Sequence, residues 1–348
     1  MDNFEGFVLA VFIKARDKYS ISVFSGDGLI ASNGDKWFRM RRLLTPAFHF
    51  EILRSYVQVF QDSTNVLLVI RKKYPFRVEP PLICLYRKYP WASCKQSREK
   101  WSAQGRGEVE LFHYVSLMTL DSILKCALSY NSNCQIQDKK NPYIKTVYEA
   151  TDEIVSRIMN PLLHSDEIYR MTPEGRKFAE DCAITQAKAK EVIKERRTAL
   201  QDTVSVPSIL YLWVIDQAIE AISWTLYNLA RFPEHQDKCR EEIEEVLGSK
   251  EELEWNDLGK LKYVLLCIKE SNRLYSVVPQ ISRVLEKPYE IDGKMVDEGT
   301  VVVSQIFALH RNPHIWQDPE KFDPLRFTNE NMEGKSPYAY VPFSAGPR

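Results

Sequence analysis

Residues 270–273 read Glu-Ser-Asn-Arg, which places a carboxylate and a guanidinium three residues apart. On an α-helix this spacing brings Glu270 and Arg273 onto one face, where they can pair. The spacing alone says little, because Glu51 and Arg54 repeat it and a solvated pair of this kind contributes only about 0.2–0.5 kcal/mol. The surrounding sequence therefore decides how this pair is interpreted.

Polar and aromatic motifs follow this pair toward the C-terminal end of the chain. The Asp-Gly dipeptide at 292–293 favours a type I′ hairpin turn. The other motifs are, in order, Arg283, His-Arg-Asn-Pro at 310–313, Trp-Gln-Asp-Pro-Glu at 316–320, Phe-Asp-Pro-Leu-Arg-Phe at 322–327 and Val-Pro-Phe-Ser-Ala-Gly-Pro-Arg at 341–348. A second block, at 34–48, places Trp37 and Arg41 four residues apart and so on one face of a helix.

In order and spacing these motifs resemble the K helix, its following sheet, the meander and the haem loop of the cytochrome P-450 superfamily. The amino-acid sequences of residues 34–50, 116–130 and 337–348 resemble those of family 4, the microsomal fatty-acid hydroxylases. The resemblance covers residues 26–67 and 99–348. It implies a mainly α, cytochrome P-450-like fold, truncated, with a small β-sheet, in one incomplete domain spanning residues 1–348.

The resemblance also implies haem as the cofactor and assigns residues to it. Trp37 and Arg41 form the W-x-x-x-R motif that serves one haem propionate, and Arg283 and Arg348 serve the propionates from the other side. The full set of residues implied at the haem is Trp37, Arg41, Arg283, Phe343, Gly346 and Arg348. Glu270, Arg273 and Arg326 would form a buried, structural triad that clamps the meander beneath the haem.

The haem-loop pattern runs F-x-x-G-x-R-x-C-x-G, and its cysteine thiolate donates electron density to iron. By this resemblance the axial cysteine falls two positions beyond Arg348, so no metal ligand is assigned within the chain. We expect the helix that follows the loop in the family to be missing as well.

The central helix departs from the family pattern. Asp216 matches the acid of the acid-threonine pair that relays protons to bound oxygen, and it is the one catalytic residue assigned. Gln217 and Ala218 replace both threonines, and Val214 replaces a glycine. Trp213 stands where many family-4 members carry the glutamate that esterifies haem. We therefore expect impaired proton delivery and no covalent attachment of haem.

Residues 71–98 are basic, proline-broken and aromatic, unlike their surroundings. Such a composition can bind nucleic acid, but no RNA-binding motif accompanies it, and we favour an irregular insertion. Residues 201–214 replace the segment that precedes the central helix in the family. Intact motifs beside foreign blocks predict an aberrantly spliced product with both ends truncated.

Composition excludes several classes of function. The 47 Lys and Arg residues balance 47 Asp and Glu residues, so no net charge attracts nucleic acid. Seven scattered cysteines without a C-x-x-C pair indicate free thiols in a reducing compartment. The six histidines show no ligand spacing and are interpreted as satisfied core or surface residues. No run approaches the roughly 18 apolar residues that span a bilayer.

Helix and turn signals predict the secondary structure in more detail. Thr172 and Pro173 begin a helix as N-cap and first residue, and Pro233 begins another that ends near Gly248. Helices are also predicted at 48–67 and 111–124, a strand at 301–303, and a helix whose apolar face carries Leu261, Val264, Leu265 and Ile268.

The leading hypothesis is a haem-thiolate monooxygenase that inserts one oxygen atom from O2 into a C–H bond of a fatty acid or similar lipophile. The resemblance implies NADPH-cytochrome reductase as electron donor, the endoplasmic reticulum membrane as location and a monomeric state. We expect this form of the chain to be inactive. The alternatives are a non-enzymatic truncated isoform or interaction protein without functional haem, and a helical scaffold unrelated to haem.

Overall fold

The structure is a computed structural model of the chain. It describes residues 34–45, 49–73, 111–128, 131–137, 146, 149–150, 153, 156–157, 160–163, 165–200, 208–250 and 252–345. Most of the segment predicted as an insertion, 71–98, lies outside these residues.

The described residues are mainly helical. The longer helices are Gly34–Leu44 (α1), Phe50–Lys73 (α2), Leu111–Leu128 (α3), Pro173–Leu200 (α6), Ser208–Arg231 (α7), Pro233–Leu247 (α8) and Lys262–Leu274 (α10). Short helices lie at Cys134–Gln137 (α4), Asp166–Met171 (α5), Trp255–Leu258 (α9), Ile306–Leu309 (α11) and Asn329–Met332 (α12), with 3-10 turns at Pro161–Leu163 and Pro324–Phe327. None of the described helices is long and apolar enough to cross a membrane.

Two helix boundaries fall where the sequence predicts them. The backbone N–H of Gly175 donates to the Thr172 hydroxyl oxygen at 3.0 Å, so Thr172 caps α6, which begins at Pro173. Gly248 follows α8 with φ +56°, a backbone conformation that glycine adopts without strain. The helices predicted at 48–67 and 111–124 are present and extend further in the C-terminal direction.

Two antiparallel strand pairs follow α10. Ile281–Val284 (β1) pairs with Val301–Ser304 (β4), and Tyr289–Ile291 (β2) pairs with Lys294–Val296 (β3). Asp292 and Gly293 join β2 to β3 with φ values of +52° and +72°. Positive φ at both central residues is the geometry of a type I′ turn, which confirms the predicted hairpin.

The central helix α7 packs against α3 and α10, and α3 also packs against α2. A separate cluster around Cys239, Cys267 and Phe322 joins α8, α10 and the chain that follows Glu320. A further cluster of Trp316, Phe327 and Ala339 lies beside it. The C-terminal half of α10 is therefore covered by irregular chain on one side and helices on the other.

The predicted apolar face of α10 is wrong in part. Leu265 is 49% exposed, whereas Cys267, Glu270 and Arg273 are completely buried and Leu274 nearly so. The buried face of α10 is therefore not the face predicted from its apolar residues. The two faces differ because this fold buries an ion pair on α10 and covers it with irregular chain. Periodicity counts only apolar residues, so it assigns such a face to solvent.

Candidate functional site

The site is built on the pairing of Glu270 and Arg273, one turn apart on α10. Arg273 Nε donates to Glu270 Oε2 at 2.7 Å, and Arg273 Nη2 donates to Oε1 at 2.9 Å. Both side chains are fully buried. This two-pronged geometry is the strongest arrangement available to an arginine and a carboxylate, and it fixes both side chains.

The remaining polar atoms of the pair bind the chain beyond the sheet. Arg273 Nη1 donates to the carbonyl oxygen of His310 at 2.8 Å, and Nη2 donates to that of Lys321 at 3.2 Å. The backbone N–H of Asp323 donates to Glu270 Oε1 at 2.8 Å. One buried pair thus holds two separate stretches of irregular chain against α10.

Arg326 joins the same group. Its Nε lies 3.5 Å from Glu270 Oε1, and its terminal nitrogens donate to the carbonyl oxygens of Gln317 and, at 2.8 Å, of Asp318. The structure therefore brings together the three residues of the triad implied by the resemblance. The role of this triad as a clamp beneath a haem remains a prediction.

Burial and the ion pair have opposite effects on the pKa of Glu270. Removal from water raises the pKa of this carboxyl above its ordinary value, while the Arg273 guanidinium and the Asp323 N–H oppose the rise. Arg273 is further enclosed by the ring of Trp316, whose centroid lies 5.4 Å from the guanidinium carbon. The pair is thus removed from water, and hydrogen bonds to the chain around it replace the lost hydration.

His310 is the residue of this site that sequence reasoning missed. It is fully buried and hydrogen-bonded, as expected of a core histidine, but its contacts link two elements of the site. Its Nδ1 lies 3.1 Å from the Ser276 hydroxyl, and its Nε2 accepts from the backbone N–H of Val341 at 3.0 Å. The one signal in the sequence is its position in the motif series between Glu270 and the 341–348 motif.

Tyr340 provides a second attachment for the same stretch of chain. Its hydroxyl donates to the carbonyl oxygen of Lys269 at 3.1 Å, and its ring lies 4.6 Å from that of Phe327 and 5.1 Å from that of His310. Burial raises the pKa of the Tyr340 hydroxyl well above its ordinary value, so it stays a donor. Of these two adjacent residues, Tyr340 is therefore hydrogen-bonded to α10 itself, and Val341 is hydrogen-bonded to His310, whose chain packs on α10.

The predicted haem residues near the C-terminal end are only partly described. Phe343 is 58% exposed, and the N–H of Ser344 donates to the Val341 carbonyl oxygen at 3.0 Å, which closes a turn around Phe343. Gly346 and Arg348 lie outside the described residues. Phe343 thus presents an aromatic surface next to a firmly attached segment.

The other predicted haem residues lie on α1 and β1. Trp37 is half-buried and Arg41 is exposed, and their i,i+4 spacing places them on one side of α1. An open cleft on α1 is lined by other residues, namely Asp35, Phe38, Arg39, Arg42 and Leu43. Arg283 is exposed on β1, opposite Val302 of β4, and its Nη1 donates to the Ser282 carbonyl oxygen at 2.9 Å. The assignment of Trp37, Arg41 and Arg283 to a haem remains a prediction.

The proposed acid of the central helix lies on α7. The backbone at Asp216 is helical, and the side chains of residues 208–216 lie outside the described ones. Gln217 Nε2 is buried without a hydrogen-bond partner among the described residues. A buried amide nitrogen without a hydrogen bond lowers the stability of the fold. Threonine has a single hydroxyl in place of the two polar atoms of the amide, so it would bury fewer polar atoms at this position.

Comparison with known families gives a match along most of the chain. The family model described as Cytochrome P450 matches residues 10–75, 92–217 and 214–348. Residues 76–91, within the segment predicted as an insertion, fall outside these matches.

Curated proteins give long alignments at moderate identity. Leukotriene-B4 omega-hydroxylase 3 of Mus musculus is 37% identical over 97% of this chain and 67% of its own length. Cytochrome P450 4F1 of Rattus norvegicus is 37% identical, and cytochrome P450 4F11 of Homo sapiens 36%, each over 93% of this chain and 64% of its own length. The chain spans about two thirds of the length of these relatives.

Solved structures agree in fold. The heme domain of cytochrome P450DA superposes with a TM-score of 0.73 at 21% identity, covering 96% of this chain and 71% of that domain. A mutant of that heme domain gives a TM-score of 0.71 at 22% identity, covering 94% of this chain and 70% of the other. At this identity the likeness shows the fold alone, and it confirms the mainly helical fold predicted from the sequence.

Proposed function

Since the chain belongs to the cytochrome P450 family, we propose that the protein containing it is a haem-dependent monooxygenase that hydroxylates fatty acids or similar lipophiles. The observation that carries this proposal is the 37% identity, over 97% of the chain, to a protein named for the omega-hydroxylation of leukotriene B4. The resemblance of residues 34–50, 116–130 and 337–348 to family 4 supports the same class of substrate.

Haem is the cofactor of this family, and the described residues suit it. Haem carries two propionate carboxylates, which call for cationic and N–H donors, and Arg41 and Arg283 are both exposed arginines. Phe343 presents an exposed aromatic ring, which gains stability when a flat apolar group covers it. We assign Trp37 and Arg41 to one propionate and Arg283 and Arg348 to the other side, with Phe343 and Gly346 in the loop.

When bound, haem supplies the activation of O2 that allows one oxygen atom to enter a C–H bond. The chain's own contribution is to hold the segment before the loop in place. The triad Glu270, Arg273 and Arg326 fixes the irregular chain from 317 to 323 on α10, and this platform supports residues 340–343.

The proposal also assigns the sources of electrons and protons for the reaction. We assign NADPH-cytochrome reductase as the electron donor and the endoplasmic reticulum membrane as the location, both supported by kinship with family 4. Asp216 would supply the acid on α7. Gln217 and Ala218 replace the hydroxyl side chains beside it, and we propose that proton delivery is slower than in relatives with threonines there.

In this proposal residues 201–214 mark an exon lost by aberrant splicing, and residues 71–98 are an insertion that the same process places in the single domain, not a functional module. The basic and proline-rich composition of the segment and the absence of a family match over 76–91 support this view. Sequencing of the transcript across residues 71–98 and 201–214 tests it. A transcript in which both stretches are continuous with their flanking exons in every tissue would contradict it.

The function is tested with the full-length protein that contains this chain. It is incubated with NADPH, NADPH-cytochrome reductase and either leukotriene B4 or a saturated fatty acid, and products are identified by mass spectrometry. We expect a product with one added oxygen atom, absent when the reductase is omitted. Haem-loaded protein that yields no hydroxylated product from any fatty acid would overturn the proposal.

A further inference from the structure

His310 lies where three parts of the chain meet. Its ring faces the end of α10 through Ser276 and the segment before the predicted haem loop through Val341, and its own carbonyl oxygen accepts from Arg273. The side chain is fully buried. A single residue therefore connects the buried Glu270–Arg273 pair to the chain that leads to Phe343.

The hydrogen bonds fix the protonation of the ring. A backbone N–H can only donate, so Nε2 of His310, which faces the Val341 N–H, must carry a lone pair. In a neutral ring the proton then resides on Nδ1, which faces the Ser276 hydroxyl. The site thus selects one of the two neutral tautomers.

The surroundings of the ring disfavour a positive charge. Burial, together with the cations Arg273 on α10 and Arg311 next along the chain, lowers the pKa of His310 to about 4, although a backbone contact with Asn272 acts in the opposite direction. The nearby carboxylates are already paired, Glu270 with Arg273 and Glu320 with Arg311. The ring of Tyr340 stacks on the imidazole, and its hydroxyl stays protonated.

We propose that His310 is a positioning residue: neutral and protonated on Nδ1, it holds Val341, and with it the start of the predicted haem loop, in register with the Glu270–Arg273 pair. The proposal rests on the proposed function only in that the segment after Val341 is taken to reach a haem. The attachment itself is a property of this chain.

The geometry explains why an imidazole suits this position. Val341 and Tyr340 are consecutive, and Tyr340 binds the Lys269 carbonyl oxygen, so the segment is attached to α10 at one point and to His310 at the next. Two attachments on neighbouring residues restrict both the position and the rotation of this irregular segment more than a single attachment does. Loss of the His310 contact would leave the Tyr340 hydroxyl bond and the packing of Tyr340 and Ala339 as the described attachments of this segment.

Matched substitutions separate the two ring contacts. His310→Gln places an amide oxygen near the position of Nε2 and retains an acceptor for Val341, whereas His310→Asn reaches only the position of Nδ1. His314→Asn, at an exposed histidine four residues further along the chain, is the control for a histidine-to-asparagine substitution as such.

The measurement is amide hydrogen exchange at Val341 in the chain without added haem. We expect His310→Asn to accelerate this exchange about tenfold, as expected for the loss of one buried hydrogen bond, and His310→Gln and His314→Asn to change it less than about threefold. Unchanged exchange in His310→Asn, or equal acceleration in all three variants, would overturn the proposal.

A second measurement needs no substitution and so does not depend on the folding of a variant. Nitrogen NMR of histidine-labelled chain distinguishes protonated from bare ring nitrogens. We expect one of the six histidines to keep a bare Nε2 and a protonated Nδ1 from pH 7 down to pH 5. A His310 ring that is protonated on Nε2 or doubly protonated in this range contradicts the proposal.

A parallel haem titration of the full-length protein, which in the proposed function supplies the axial cysteine, separates this inference from the proposed function. Failure of the full-length protein to bind haem, while Val341 exchange still depends on His310, refutes the function and supports the positioning role. Haem that binds normally to His310→Asn, with unchanged exchange at Val341, refutes the positioning role alone.

Discussion

Tyr340 and Lys269 lie 71 positions apart in the sequence, yet the Tyr340 hydroxyl donates to the Lys269 carbonyl oxygen at 3.1 Å. Lys269 directly precedes Glu270, so this bond joins the chain before the predicted haem loop to the helix that carries the buried ion pair. The aromatic ring that makes this bond also packs on Phe327 and His310. The bond thus belongs to the same packed unit as the ion pair.

Tyr340→Phe should reduce the free energy of unfolding by about 0.5–1.5 kcal/mol, because it removes one buried hydrogen bond without opening a cavity. Urea denaturation measures this change. Tyr338→Phe is the matched control, since Tyr338 is 66% exposed and its loss of a hydroxyl should change the stability by less than about 0.5 kcal/mol. Equal effects of the two substitutions would contradict the proposed attachment.

Arg273→Met should reduce the free energy of unfolding by about 3–5 kcal/mol, because it leaves the Glu270 carboxylate buried without its partner. The control is Arg240→Met, which breaks a pair of the same spacing whose members are 61% and 66% exposed. That change should cost less than about 1 kcal/mol. Urea unfolding of both variants makes the comparison.

A double substitution tests the reason for this cost. Glu270→Gln together with Arg273→Met removes both charges. Arg273→Met should therefore reduce the free energy of unfolding much less in the Glu270→Gln variant than in the parent chain. Simple addition of the two single effects would show that the partners do not act as a pair.

Stability should fall as the pH decreases from about 6.5 to about 4, in part because of His310. The pKa of His310 is lowered to about 4 from the ordinary value of 6.5, so in this window the unfolded chain binds a proton that the folded chain excludes. The folded state therefore loses stability as pH falls, by about 3 kcal/mol in total for this group, and loses no more below about pH 4.

The measurement is the free energy of unfolding at a series of pH values for the parent chain and for His310→Asn, whose side chain does not titrate. The variant should show a shallower decline between pH 6.5 and 4 while retaining the contributions of all other groups. Parallel curves would exclude His310 as the source.

The same glycine-to-alanine change should have opposite effects at two positions. A Cβ at Gly175 would overlap the carbonyl oxygen of Tyr169, so Gly175→Ala should destabilise the chain although alanine favours helices. Gly259 has φ −68° and open space around its Cβ position, so Gly259→Ala should stabilise by about 0.4–1 kcal/mol. Thermal unfolding of both variants checks the signs.

The features that were predictable from the sequence depend on neighbouring residues. The cap at Thr172, the glycine after α8 and the Asp292-Gly293 turn each follow from the conformational preferences of one or two residues, and the structure has all three. The family motifs likewise carry their order in the sequence, which is why the fold and the family were predictable.

The features that were not predictable depend on contacts between distant residues. The buried face of α10 follows from an ion pair that binds chain 37 to 53 residues later, from the Arg273 bond to His310 to the Glu270 bond with Asp323. The hydrogen bond from Val341 to His310 spans 31 residues. Neither leaves a periodic or local signal, because a single polar residue at a buried position looks the same in sequence as one at the surface.

The most direct test of the proposed function is the source of the oxygen atom in the product. The full-length protein is incubated with NADPH, NADPH-cytochrome reductase and leukotriene B4 under isotopically labelled oxygen gas in ordinary water, and the product is analysed by mass spectrometry. We predict a hydroxylated product that carries one labelled oxygen atom. A product whose new oxygen comes from water, or haem-loaded protein that forms no hydroxylated product, would contradict the assignment as a monooxygenase of fatty acids.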